Sequence, residues 1–145
     1  MTVEDLLAFA NRHMLLSLAL VGLTIALVYT EVARLFRGYR TLAPAGLTAL
    51  VNREDAVVLD LSAAGDFEKG HVAGARSVPM ADFKPDHKRL PPSKATPVVL
   101  TCRNGQASAT AAAQLKKAGF EQVHVLDGGI AAWQQAGLPL VKGRG

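Results

Sequence analysis

Apolar positions fall into one long run and three short ones. The long run is 18 residues without a charge, from His13 to Thr30, and positions 14–30 read MLLSLALVGLTIALVYT. As a helix, 18 residues extend about 27 Å, enough for a thin hydrocarbon core. Six Leu, one Ile and two Val in it outweigh Ser17, Gly22 and Thr24 for insertion, and Tyr29 falls at an interfacial level. The short runs cover residues 56–59 (then Asp60), 97–101 (then Cys102) and 122–126 (then Asp127). Each is rich in β-branched residues and is followed by turn residues. Such continuous runs belong to strands covered on both faces, usually in a parallel sheet.

The long run predicts a membrane anchor. A cleaved signal peptide competes with this reading, but Glu4 and Asp5 spoil a basic leader, and Val28-Tyr29-Thr30 is a poor cleavage site. A core helix of a soluble domain also competes, but such a helix is rarely apolar all round over 17 residues. Arg34, Arg37 and Arg40 follow the run and only Arg12 precedes it, so the C-terminal side is expected in the cytoplasm. The expected organisation is a short extracytoplasmic segment (1–12), a transmembrane helix with its cytoplasmic extension (13–36), a linker (37–46) and a folded domain (47–145). Gly22 and Ala26 form only a weak helix-association pair.

Helical segments are expected between the short runs: 47–53, 63–69, 106–118 and 129–135. In the third, Ala109, Ala112 and Leu115, with Phe120 beyond, suggest a buried stripe. Lys116 and Lys117 suit its C-terminal end, and Gly119 suits a C-cap. Strand and helix alternate, so the class is α/β with a mostly parallel sheet flanked by helices.

Composition narrows the chemistry. One cysteine among 145 residues excludes an internal disulfide framework, and with four scattered histidines it argues against structural zinc. Aromatic residues are 6%, too few for a platform that stacks nucleic-acid bases. After residue 40 there are 12 basic and 9 acidic residues, with no long basic run, so no nucleic-acid partner is expected. The membrane-proximal arginines suit anionic lipid head groups.

Cys102-Arg103-Asn104-Gly105-Gln106-Ala107-Ser108 joins a buried strand to a helix. Ligands of open parallel sheets bind at such carboxyl ends. Main-chain N–H groups of the loop and of the first helical turn lack partners of their own. They can converge on the sulfur and on an anion attached to it. Arg103 adds positive charge, and Gly105 permits the backbone angles of a tight cradle. The position equally suits a small, inert core cysteine.

Taken together, these residues resemble the rhodanese family of sulfurtransferases over about residues 44–142. Val57 to Asp60 is similar to the family's first recognisable strand. Asp66-Phe67-Glu68-Lys69-Gly70-His71-Val72-Ala73-Gly74-Ala75 is similar to its acid-Phe-x-x-Gly-His-Ile-x-Gly-Ala segment, and Ser77-Val78-Pro79 to the Asn-Ile-Pro that follows. Cys102-x-x-Gly105 resembles the persulfide-carrying loop. Gly119-Phe120 and Leu126-Asp127-Gly128-Gly129-Ile130-Ala131-Ala132-Trp133 resemble the closing segments. An apolar span before one such domain looks like the membrane-anchored single-domain rhodaneses of bacterial inner membranes.

The resemblance implies a three-layer rhodanese-like fold and a sulfurtransferase that passes sulfane sulfur through a persulfide on Cys102, from a small donor to a thiol acceptor, without cofactor or metal. Arg103 would steer anionic donors, and Asn104, Gln106 and Ser108 could add side-chain donors or face solvent. Asp60 and His71 are read as structural, and Trp133 as core. Two arginines of the family pattern are absent: Ala107 stands where the loop usually has one, and Ser62 where the usual Asp-x-Arg has the other. The first replacement leans toward a second reading, a binding module held beside an integral membrane protein. A related phosphatase would carry one more loop residue and an arginine six positions after the cysteine. Position 108 is serine, so the bidentate clamp for a phosphoryl group is missing.

Overall fold

The computed structural model describes residues 1–144 as two compact units, Met1–Arg37 and a second that starts at Gly38. The first unit holds helices α1 (Val3–Arg12) and α2 (Met14–Phe36). Within α2, the 22 residues Met14–Leu35 have a mean hydropathy of 2.0, and none of α2 is buried by other parts of the chain. The helix is thus long and apolar enough to cross a membrane, and it is not the core helix of a globular unit. Residues 1–12, expected only as a short flanking segment, form α1. Thr2 and Asp5 close a reciprocal capping box at its start, the Asp5 N–H donating to Thr2 Oγ1 at 3.3 Å and the Thr2 N–H to Asp5 Oδ2 at 2.9 Å.

In the second unit, strands and helices follow as β1 (Arg40–Leu42), α3 (Pro44–Glu54), β2 (Val57–Asp60), α4 (Ala64–Lys69), β3 (Arg76–Ser77), a 3₁₀ turn (Met80–Asp82), β4 (Val98–Thr101), α5 (Gln106–Lys117), β5 (Val123–Leu126) and α6 (Gly129–Gln135). The sheet order is β1-β5-β4-β2-β3, and every pairing is parallel. β4 lies at the centre and all four of its residues are buried, as expected for a strand covered on both faces.

The side-chain alternation of the strands divides the core in two. On one face Leu59, Leu100 and Val125 pack against Ala111, Ala112 and Leu115 of α5. On the other, Val58, Val99 and Leu126 pack against Leu47 of α3, Phe67 of α4, and Ile130 and Trp133 of α6. This is the expected three-layer architecture. The buried stripe of α5 runs through Ser108, Ala111, Ala112 and Leu115, not through Ala109. These four positions hold the i, i+3, i+4, i+7 spacing of one helical face. Gly119, at φ 98°, ends the helix, and the Phe120 N–H reaches back to the Leu115 carbonyl at 3.1 Å.

The linker expected at 37–46 is corrected by the structure. Residues 40–42 are edge strand β1, in register with His124–Leu126 of β5, and Pro44 opens α3 three residues earlier than expected. Proline suits a first helical position, where its missing N–H would have no partner. The Leu42 carbonyl also accepts the Asp127 N–H at 2.8 Å. The sheet therefore starts within two residues of Gly38.

His124 of β5 is buried, and neither ring nitrogen has a hydrogen-bond partner among the described residues. Burial, and next the charge of Arg40, hold its pKa below the usual 6.5, against an opposing pull from Glu54. The unfolded chain then takes up a proton that the folded chain resists. Stability is full above about pH 6.5 and falls as the pH drops below it. Denaturant titrations at pH 7 and pH 5 are expected to show a smaller acid loss in His124→Gln than in the wild type.

Candidate active site

Parallel pairing sets the ends of β2 and β4 level, with Asp60 opposite Thr101. Cys102 is the next residue after β4, at the carboxyl edge of the sheet. Its carbonyl accepts the Ile130 N–H at 2.9 Å, and the Arg103 carbonyl accepts the Ala131 N–H at 3.4 Å. The start of α6 thus holds the first half of the cysteine loop. Asn104 organises the second half: its Oδ1 accepts the Gln106 N–H at 3.1 Å, a local turn that precedes α5.

The loop wraps around the sulfur. The Gly105 N–H donates to Cys102 Sγ at 2.9 Å, and Asn104 Oδ1 lies 4.0 Å from it. Gly105 adopts φ 90°, a left-handed conformation that suits glycine and turns its N–H inward. Among the described residues, the main-chain N–H groups of Arg103, Asn104, Ala107 and Ser108 have no protein acceptor. They are donors available to an anion carried on the sulfur. Cys102 is a free thiol with 4% of its surface exposed, so its sulfur sits at the floor of the loop.

The other expected site residues separate into distinct roles. Arg103, expected to steer anions, is held elsewhere: its Nη2 donates to the Asp66 carbonyl at 2.8 Å and lies 3.5 Å from the Asp66 carboxylate. It ties the loop to α4. Gln106 is exposed. Ala107 is half-buried and packs against the core. Ser108 is fully buried, and its hydroxyl has no partner among the described residues, so it does not face solvent.

Asp60 is fully buried and accepts the Ser62 N–H at 2.8 Å through Oδ1, while Oδ2 has no partner among the described residues. An arginine at position 62 could have met that oxygen, but serine occupies it. His71 is 2% exposed. Its ring stacks on Phe67 at 3.7 Å between centroids, and its Nδ1–H donates to the Phe67 carbonyl at 2.8 Å. Both groups brace backbone turns. Trp133 is buried in the core and donates its indole N–H to the Pro139 carbonyl at 2.9 Å. No cluster of three or more His, Cys, Asp or Glu able to hold a metal ion occurs among the described residues.

Two contributors to the site were not assigned a role from the sequence. One is Asp66, the anchor for Arg103. The other is Gly129, at φ 62°, where a Cβ would collide with the Cys102 carbonyl oxygen and lie 2.9 Å from the Arg103 carbonyl. The paired glycines of Leu126-Asp127-Gly128-Gly129 were the available signal.

A single cysteine cradled by main-chain donors between a parallel strand and a helix defines a class: an α/β domain with a cysteine loop at the carboxyl edge of its sheet. The chain belongs to the rhodanese-like domain family, whose pattern it matches over residues 43–136. It is 36% identical to the uncharacterized protein YibN of Escherichia coli K12 over 143 residues, covering 98% of this chain and all of that protein. It is 29% identical over 98 residues to the thiosulfate sulfurtransferase GlpE of Pseudoalteromonas translucida, covering 68% of this chain and 91% of the relative. The fold matches a crystal structure of a thiosulfate sulfurtransferase from Pseudomonas aeruginosa with a TM-score of 0.64 at 31% identity. That match covers 73% of this chain and 20% of the larger protein.

Proposed function

We propose that the protein is a membrane-anchored rhodanese-type sulfurtransferase that moves sulfane sulfur to a thiol acceptor through a persulfide on Cys102. The observation that carries the reading is the Gly105 N–H on Cys102 Sγ at 2.9 Å, within a loop whose remaining N–H groups have no acceptor among the described residues.

The chemistry is a double displacement. The Cys102 thiolate attacks the outer sulfur of a donor such as thiosulfate. A sulfur–sulfur bond forms, the donor's own sulfur–sulfur bond breaks, and sulfite leaves with the bonding pair. The negative charge of the persulfide then lies among the loop N–H groups, which are fixed before the reaction and need no reorganisation. An acceptor thiolate attacks the outer sulfur of the persulfide, takes it, and restores the Cys102 thiolate. Neither step requires a proton transfer by the protein, in keeping with a loop that contains no general base.

The apolar length of α2 supports an anchor, and the arginines after it support a cytoplasmic domain in a bacterial inner membrane, where a free thiol persists. A second reading, a binding module that serves an integral membrane partner, is favoured by one observation: position 107 is alanine and the Arg103 guanidinium is engaged with Asp66. Transfer of sulfur to a dithiol acceptor by the detergent-solubilised chain separates the two. The Cys102→Ser variant is expected to lose all measurable transfer. A binding module would show no transfer in the wild type.

A further inference from the structure

The sulfur chemistry makes no use of α1, which has a marked division of faces. Val3, Leu6, Leu7 and Ala10 recur at three- and four-residue spacing and make one apolar stripe. Glu4, Ala8, Asn11 and Arg12 lie away from it. Most of the stripe is uncovered: Val3 is 72% exposed, Leu6 54% and Leu7 65%, while Ala10 is half-buried. A helix of 10 residues is marginal in water even with a good cap, so an apolar phase must supply the rest of its stability.

The junction with α2 shows where that phase lies. His13, at φ −121° and ψ 54°, leaves the helical region and breaks the ladder between α1 and α2. The Ala10 carbonyl, freed by the break, faces the Ser17 hydroxyl at 3.4 Å, and the Phe9 ring rests 4.7 Å from that of His13. The break leaves a wedge of about 500 Å³ between the helices, lined by Leu7, Ala10 and Asn11 on one side and by Met14, Ser17, Leu18 and Val21 on the other. The C-terminal part of the stripe, Leu7 and Ala10, therefore turns toward the side of α2 that begins the apolar span.

We propose that α1 is an interfacial helix that lies on the leaflet at the N-terminal end of the span, with its Val3-Leu6-Leu7 face in the acyl boundary and lipid chains filling the wedge at His13. The inference rests on α2 crossing the membrane. Continuity then names the occupant, because α1 ends one residue before the span starts. An amphipathic helix at that level meets apolar chains on one side and water on the other. It would fix the depth of the anchor and resist its withdrawal.

Single cysteines in a Cys102→Ser background of the full chain carry nitroxide labels in phosphatidylcholine–phosphatidylglycerol vesicles. The labelled variants are Leu6→Cys, Leu7→Cys, Ala8→Cys and Leu23→Cys. The ratio of oxygen to nickel-chelate collisions is expected to be several-fold higher at positions 6 and 7 than at position 8, and highest at position 23. Equal nickel access at 6, 7 and 8 with a protected position 23 would place α1 in water and overturn the proposal while leaving the span intact. Equal protection at 6, 7 and 8 would make α1 part of the span and also overturn it. Nickel access at position 23 would remove the span, and the proposal with it.

Discussion

Gly129→Ala lowers the unfolding free energy by about 3–5 kcal/mol, whereas Gly137→Ala lowers it by about 1 kcal/mol. Both glycines have positive φ, 62° and 75°, so both substitutions carry the strain of an alanine in the left-handed region. They differ in what the new methyl group meets. At 137 there is nothing within 4 Å among the described residues. At 129 it runs into the Cys102 carbonyl and the Arg103 main chain. The loop must move away, and the bonds from Ile130 to Cys102 and from Ala131 to Arg103 are lost. Each such bond contributes about 0.5–1.5 kcal/mol, more when its buried groups are left unpaired. Equilibrium denaturation followed by the single tryptophan, Trp133 on α6, reads both variants. Equal losses would show that α6 does not brace the loop.

Ala107→Arg raises kcat/KM for thiosulfate by about 10- to 100-fold, the range given by a charge-assisted hydrogen bond to an anion of about 1.5–3 kcal/mol. The wild-type loop offers an anion only main-chain dipoles, because the neighbouring guanidinium of Arg103 is bonded to Asp66. Position 107 lies in the first turn of α5, five residues after Cys102, and is only half-buried, so an arginine there is expected to keep its guanidinium outside the core. The gain is expected in kcat/KM for the dianionic donor and not for an uncharged persulfide donor. An equal gain for both donors, or none for thiosulfate, would mean that the missing charge does not limit donor capture.

The sequence revealed some of these features and hid others for physical reasons. β2, β4 and β5 were visible because burial on both faces demands unbroken apolar runs, and the Cys102 loop was visible because Gly105 and a helix-forming stretch follow one such run. β1 and β3 were not, since strands of three and two residues at the sheet edges leave little pattern. Arg40-Thr41-Leu42 becomes a strand only through its pairing with β5. Helix α1 is masked in the sequence because Glu4 and Asp5 look like a charged flank, and its local start signal is only the Thr2–Asp5 capping box. The hold of Asp66 on Arg103 spans 37 positions, and the contact of Gly129 with Cys102 spans 27. Neither leaves a local pattern, because both arise only when the chain has folded.

The central claim, that Cys102 carries sulfur, is tested by intact-protein mass spectrometry of the solubilised full chain after incubation with thiosulfate or an organic persulfide and removal of excess donor. The expected result is an added mass of one sulfur atom, mapped to Cys102, released by a thiol and absent from Cys102→Ser. An unmodified wild-type mass with every donor would contradict it.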